Sequence, residues 1–236
     1  MEVKDQLPVT GSGKTITTVE PKVIPKEAVE IHLGEDIPVK IRLIDCVGFM
    51  VPDASGNMEN EKERMVKTPW FEQEIPFHQA AEVGTKKVIQ EHSTIGLVVT
   101  CDGSFGEIPR KNFEESEERT VQELKKQGKP FLILVNSQKP YKEETLKLVE
   151  QLQDKYKAAV LSVNCEQLRK DDIVRILEKI LHEFPVRQVE YYIPKWVELL
   201  EPSHYLKADL LQQIKEMMGK LKYIRDIKND NLQIGS

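Results

Sequence analysis

Apolar and polar residues alternate with different periods along the chain, and the switches between periods predict its elements. Residues 1–26 carry Pro8, Pro21 and Pro25, two glycines and a threonine-rich stretch without periodicity. Proline removes a backbone donor and disfavours helix before it, so this segment is expected to be loop. Strand character follows at Ala28–Leu33 and Val39–Cys46, the second alternating Val39, Ile41 and Leu43 with Lys40 and Arg42. Pro52, Gly56, Pro69 and Pro76 among charges make residues 51–76 a long surface loop by expectation.

From His78 the pattern becomes regular. A helix to about His92 precedes a strand at Ile95–Thr100, and a charged helix over Phe113–Gln127 is closed by Gly128, where a left-handed cap is needed. The strand Phe131–Asn136, a helix over Glu143–Lys155 and the strand Ala159–Val163 follow. A helix over Asp171–Phe184 sets Ile173, Ile176, Leu177, Ile180, Leu181 and Phe184 on one face, with Asp171 and Asp172 at its positive end. Strands alternating with one-striped helices imply an α/β fold, a mostly parallel sheet with helices on both faces. Past Pro185 the regularity stops. Pro194 and Pro202 bracket a short apolar stretch with Trp196, and a final helix carries Leu210, Ile214, Met217, Leu221 and Ile224. That spacing is a heptad seam of about two repeats, suited to packing on this or a following domain, or to self-association.

Composition narrows the choices. A net charge of −5, with Lys and Arg scattered among Asp and Glu, does not favour a nucleic-acid surface. No apolar run reaches bilayer length and the start is no signal peptide. The three cysteines, Cys46, Cys101 and Cys165, are far apart and lack metal-ligand spacing, which suits a soluble protein in a reducing cytosol. The five histidines show no paired metal spacing either, and Trp70 and Trp196 suit packing or polymer contacts.

Three strings carry candidate chemistry. GSGKT at Gly11–Thr15 imitates a phosphate loop, but the position that needs the first glycine holds Pro8, and neither a preceding strand nor a following helix is available. In RLIDCVG, Asp45 ends a strand and Gly48 follows three residues later, the DxxG arrangement of Ras-like NTPases. There the carboxylate holds magnesium through water and the glycine amide senses the terminal phosphate; the competing reading is a turn-forming aspartate. LVNSQKP at Leu134–Pro140 sits where guanine-specific enzymes carry Asn-Lys-x-Asp, with Asn136 retained and the base-reading aspartate replaced by Lys139. A pure donor cannot accept the guanine N–H bonds, so guanine is disfavoured. Asp102 and Ser104 follow another strand, at the edge where α/β sheets bind ligands.

KTITTVEPKVIP at Lys14–Pro25, RLIDCVGFMVP at Arg42–Pro52, the run Thr68–Ser104, KPFLILVNSQKP at Lys129–Pro140 and EFPVRQVEYYIPKWVELL at Glu183–Leu200 together resemble the stage IV sporulation protein A family of spore-coat ATPases. The resemblance implies a P-loop NTPase of the Ras-like, TRAFAC-type class whose first strand and phosphate loop lie upstream of this chain. It implies a switch-like loop over 1–26, a partial P-loop NTPase domain over 27–187, and over 188–236 a linker and helical appendage leading to an absent domain. It further implies ATP and Mg2+ as cofactors, and Asp45 as the Walker B aspartate followed by Gly48. Thr18 matches the first of two phosphate-sensing threonines; the second position holds Val19, which has no hydroxyl, and Thr17 is the alternative. The expected site set is therefore Thr18 and Asp45 for catalysis and metal, with Thr17, Gly48 and Asn136 for the nucleotide.

By the same resemblance the full-length protein polymerises with itself in the mother-cell cytoplasm, as the basement of the coat on the forespore outer surface. Its partners there are a small amphipathic membrane-anchoring peptide and other coat proteins. Two further readings stay open: a non-enzymatic scaffold, or degenerate paralogue, that keeps the assembly surfaces, and a GTPase of ribosome assembly, which Lys139 disfavours.

Overall fold

The computed structural model describes residues 22–33, 37–54, 58–59 and 62–227. The chain divides into two compact units, Met1–Glu178 and Lys179–Ser236.

In the first unit, β1 (Lys22–Leu33) and β2 (Ile37–Asp45) form an antiparallel ribbon of their own. The loop expected up to residue 26 is thus corrected: Lys22, Val23 and Ile24 pair with Asp45, Ile44 and Leu43. The irregularity between Ile24 and Val29 takes in Pro25, so its missing N–H breaks no regular ladder. The expected loop over 51–76 is also corrected. β3 (Met58–Glu59) pairs with β4 (Lys62–Glu63), and β5 (Met65–Thr68) with β6 (Phe71–Pro76). Its prolines sit where a strand tolerates them: Pro69 lies in the β5–β6 turn, and Pro76 ends β6 and caps the next helix. Val66 and Ile75, opposite one another, pack on Phe77, Ala80 and Ala81 of α1 (Phe77–Lys87), the contact that makes the hairpin worth forming.

α1 runs into a π-helical turn, Val88–His92, and then β7 (Gly96–Cys101), α2 (Arg110–Lys126), β8 (Phe131–Asn136), α3 (Glu143–Tyr156) and β9 (Val160–Val163) alternate as the sequence predicts. β7, β8 and β9 form one parallel sheet in that order. Val98, Phe131, Ile133, Val135 and Val160 of one sheet face meet Val121 and Leu124 of α2 and Leu152 and Tyr156 of α3. Gly128 closes α2 at φ +63°, the left-handed position its side-chain-free backbone suits. On the opposite face Leu132 and Leu134 are buried, but Leu97 and Val99 of β7 are 41% and 59% exposed. Gly96 and Asp102 donate their N–H groups to Pro130 and Asn136, so even-numbered positions face β8. The backbone groups of Leu97 and Val99 therefore point to the edge of the sheet where β7 has no partner among the described residues.

Gly96 is required by packing. A methyl group there would lie 2.6 Å from Leu124 Cδ2 and 2.8 Å from Cδ1, and Leu124 is itself enclosed in the core. Gly96→Ala is expected to cost about 1–3 kcal/mol in a urea melt, with Leu124→Ala in the same chain relieving part of the loss.

After a 3-10 turn at Cys165–Gln167, α4 (Lys170–His182) runs through the boundary between the units. In the second unit, the buried Glu183 carboxylate meets Arg225, and Val186 and Ile224 bond to Lys222 and Phe184 around a bridge from Pro185 to Tyr223. α5 (Lys195–Glu198) ends where Lys207 of α6 (Tyr205–Lys220) donates to the carbonyls of Glu198 and Leu200, 2.8 Å each. The final helix is shorter than its seam predicts: Leu221 is its C-cap and Ile224 lies in a separate 3-10 turn. No α6 residue is buried. Among the described residues no helix is long and apolar enough to cross a membrane.

Candidate functional site

Parallel strands end on one side of a sheet, and the residues just beyond them are brought together there. Cys101, Asn136 and Val163 stand side by side in register at the ends of β7, β8 and β9. The ladder continues one residue further: Asp102 N–H donates to Asn136 O at 3.3 Å, and Ser137 N–H to Val163 O at 2.9 Å.

Four side chains then tie the loops beyond the strands. Asp102 Oδ1 accepts the Ser104 N–H at 2.9 Å, and Oδ2 lies 3.3 Å from the Thr145 hydroxyl in the first turn of α3. The Ser104 hydroxyl accepts the Gln138 N–H at 2.9 Å, and the Ser137 hydroxyl accepts the Lys139 N–H at 3.0 Å. Ser137 and Thr145, both buried, have their hydroxyls 3.3 Å apart, and Thr145 also reaches Lys139 O at 3.2 Å. Burial pushes the Asp102 carboxyl up, but hydrogen bonds from Ser104, Ser137 and Thr145 outweigh it and hold the group below its ordinary value. Asn136 is fixed separately: its carboxamide oxygen accepts the Cys165 N–H at 2.9 Å, which directs the amide NH2 as the donor available to a ligand.

Asp45 closes β2 opposite Lys22 and is exposed. Beyond it Gly48 adopts φ +81°, a left-handed turn that a β-carbon would strain. The turn is anchored on both sides. Val47 and Met50 pack against Phe77, Ala80 and Ala81, and Phe49, 6% exposed, lies under the Arg119 guanidinium, 4.5 Å from its ring centroid. Arg119 is held in turn by Glu82 at 2.8 Å. Burial pushes the Cys46 thiol up, leaving it a packing residue rather than a nucleophile.

The structure thus brings Asp45 and Gly48 together, and Asn136 with Asp102 and Ser104. Among the described residues no hydrogen bond or ion pair joins the two groups. Thr17, Thr18, Val19 and the GSGKT string lie outside the described residues. Ser137 and Thr145 belong to the site and were not singled out by the sequence; a serine next to the polar Asn136 that ends an otherwise apolar strand is the signal that points to the first. Among the described residues no group of three or more His, Cys, Asp or Glu is arranged for a metal. A lone exposed Asp45 fits Mg2+ nonetheless, because that ion keeps several waters and takes one or two carboxylates together with substrate phosphates.

Family models cover the chain from end to end. Residues 1–185 match the model described as "Stage IV sporulation protein A, ATPase domain", and residues 186–236 the "Stage IV sporulation protein A, middle domain". The chain is 45% identical to stage IV sporulation protein A of Bacillus subtilis (strain 168) over 224 residues, 95% of this chain and 46% of the relative. It is 46% identical to the Bacillus anthracis protein over 224 residues, and 44% identical to that of Clostridioides difficile (strain 630) over 225, with the same shares covered. The chain therefore spans about half the length of the curated relatives it matches. No solved structure gives a significant match. Two domain models of one family, met in chain order, and this identity along nearly the whole sequence establish that the chain belongs to the stage IV sporulation protein A family.

Proposed function

We propose that the chain is part of a P-loop NTPase of the Ras-like, TRAFAC-type class that hydrolyses ATP to drive polymerisation of the spore-coat basement layer. The observation that carries this reading is the ATPase-domain match over residues 1–185, within which Asp45 ends a strand and Gly48 turns left-handed just beyond it. Mg2+ bound with ATP would neutralise charge on the phosphates. Asp45 would hold that ion through water. The Thr18 hydroxyl, with Thr17 as the alternative, would bind the ion and orient a water, and the Gly48 N–H would face the terminal phosphate. No protein base is needed, since positioning and charge do most of the work in phosphoryl transfer. The Asn136 amide binds the base.

The open edge of β7 and the exposed Leu97 and Val99 support a further strand between β2 and β7, carrying the phosphate loop. Residues 1–26, the last five of which already belong to β1, then act as a switch-like segment, 27–187 as the partial NTPase domain and 188–236 as the linker and helix toward a following domain. In the full-length protein the self-polymer assembles in the mother-cell cytoplasm on the forespore outer surface, with an amphipathic anchoring peptide and other coat proteins as partners. Val19, at the second threonine position, favours the second reading, a scaffold without catalysis.

Calorimetry separates these. The 236-residue chain is expected to bind little or no ATP, and a version extended to the length of its relatives to bind ATP with Mg2+ and release phosphate. Tight ATP binding by the 236-residue chain would overturn its incompleteness. An extended protein that neither binds nor hydrolyses ATP would overturn the ATPase reading in favour of the scaffold.

A further inference from the structure

We propose that Asp102 is a positioning residue for base recognition, acting through Ser104, Ser137 and Thr145 to fix the backbone of Gln138 and Lys139 beside Asn136. The inference rests on the ATPase reading above, in which Asn136 meets the base.

The geometry is specific. The Lys139 N–H is satisfied by Ser137, and its C=O accepts the Lys142 N–H at 3.0 Å with the Thr145 hydroxyl 3.2 Å away. The preceding N–H, of Gln138, is satisfied by Ser104. Asp102 accepts from the two elements that carry these partners, the Ser104 turn and the first turn of α3. A hydroxyl has one proton to give. Thr145 therefore donates to Asp102 or to Lys139 O, and the single Ser137 proton goes to Thr145 or to Asp102. With Asp102 ionised the network has an acceptor that never competes for a proton, which fixes the direction of the remaining bonds. An asparagine at 102 keeps one acceptor for the Ser104 N–H but turns a neutral donor toward Thr145, so the charge-assisted tie to that hydroxyl is lost and its direction reversed. Lys139 itself is exposed and stands where guanine-specific enzymes carry the base-reading aspartate, so the backbone pinned by the network sets where its ammonium group can reach.

A tie that only stabilised the fold would not distinguish the base from the phosphates, and this gives the test. In the extended protein, Asp102→Asn and Thr145→Val are each expected to raise KM for ATP about tenfold with kcat unchanged, the size expected for one lost charge-assisted hydrogen bond. Thr145→Ser, which keeps the hydroxyl, is expected to restore KM. In the 236-residue chain, Asp102→Asn is expected to speed hydrogen exchange at the Gln138 and Lys139 amides while the Leu132 and Ile133 amides stay protected. If the wild type hydrolyses ATP and both variants keep its KM, or lose kcat in step with the melting temperature, this inference alone is overturned. Unchanged exchange at 138 and 139 would also overturn it. A wild type that does not bind ATP would overturn it together with the functional reading.

Discussion

Replacing Glu117 with alanine is expected to cost about 3–5 kcal/mol of stability, enough to unfold most of the chain under mild denaturant. Glu117 is 4% exposed, and its carboxylate faces Arg110 two helical turns earlier on α2, with Arg110 Nη2 2.7 Å from Oε2. The other oxygen accepts the Tyr156 hydroxyl at 2.8 Å, and Arg110 continues to Thr100 Oγ1 at 2.8 Å. One buried carboxylate therefore ties α2 to α3 and, through Arg110, to the end of β7. The pair is imperfectly satisfied: its closest contact is not aligned as a hydrogen bond, and Arg110 Nε has no acceptor among the described residues. Such a pair adds little net stability over an apolar replacement, yet removing one member strands the other, which is why the loss is large. Arg110→Ala with Glu117→Ala should cost less than the sum of the two singles in urea melts. If the singles add, the charges are not coupled.

Titration gives the same cluster a second readout. Burial pushes the Tyr156 phenol up to about 12, and the bond to Glu117 adds to the rise. The fold thus holds the phenol proton more tightly than the unfolded chain, so this stabilisation is complete below pH 10 and is lost as pH rises toward about 12. Lys155, raised chiefly by its contact with Tyr156, loses its contribution in the same direction. Tyr156→Phe is expected to flatten the decline in melting temperature across that window.

The second large effect is catalytic. In the extended protein, Asp45→Ala is expected to lower ATP hydrolysis by about a hundredfold or more, because it removes the carboxylate proposed to hold the metal. The melting temperature should hardly move, since Asp45 is exposed and has no ion pair among the described residues. Phosphate release under saturating ATP and Mg2+ reads the first, and calorimetry of the folded protein the second. Hydrolysis that survives the substitution would remove Asp45 from the site. Gly48 sits beside it on a turn clamped by Phe49 and Arg119, so loss of Asp45 should leave the Gly48 backbone in place.

How far the sequence discloses this arrangement depends on the range of the forces involved. β8 and the strand–helix alternation from β7 to β9 are legible because each element carries its own period, and the chain alternates locally enough for the period to show. The β5–β6 hairpin is hidden, because Val66 and Ile75 become meaningful only once Phe77 and Ala81 are folded beneath them. β1 begins earlier than its prolines suggest, since the irregularity around Pro25 accommodates a residue that periodicity treats as a stop. Asp45, Gly48 and Asn136 are legible as motif letters at strand ends. The network of Asp102 with Ser137 and Thr145 is not, because it joins residues 43 positions apart through hydroxyls that carry no pattern of their own.

The bare flank of β7 also has a practical side. Leu97 and Val99 present greasy side chains beside amides unclaimed among the described residues, the combination by which one molecule templates the next into a stack. The isolated chain should therefore have a shelf life set by how crowded the tube is. Its turbidity on storage should rise with protein concentration well below any melting temperature, and a lysine in place of Val99 should slow that rise.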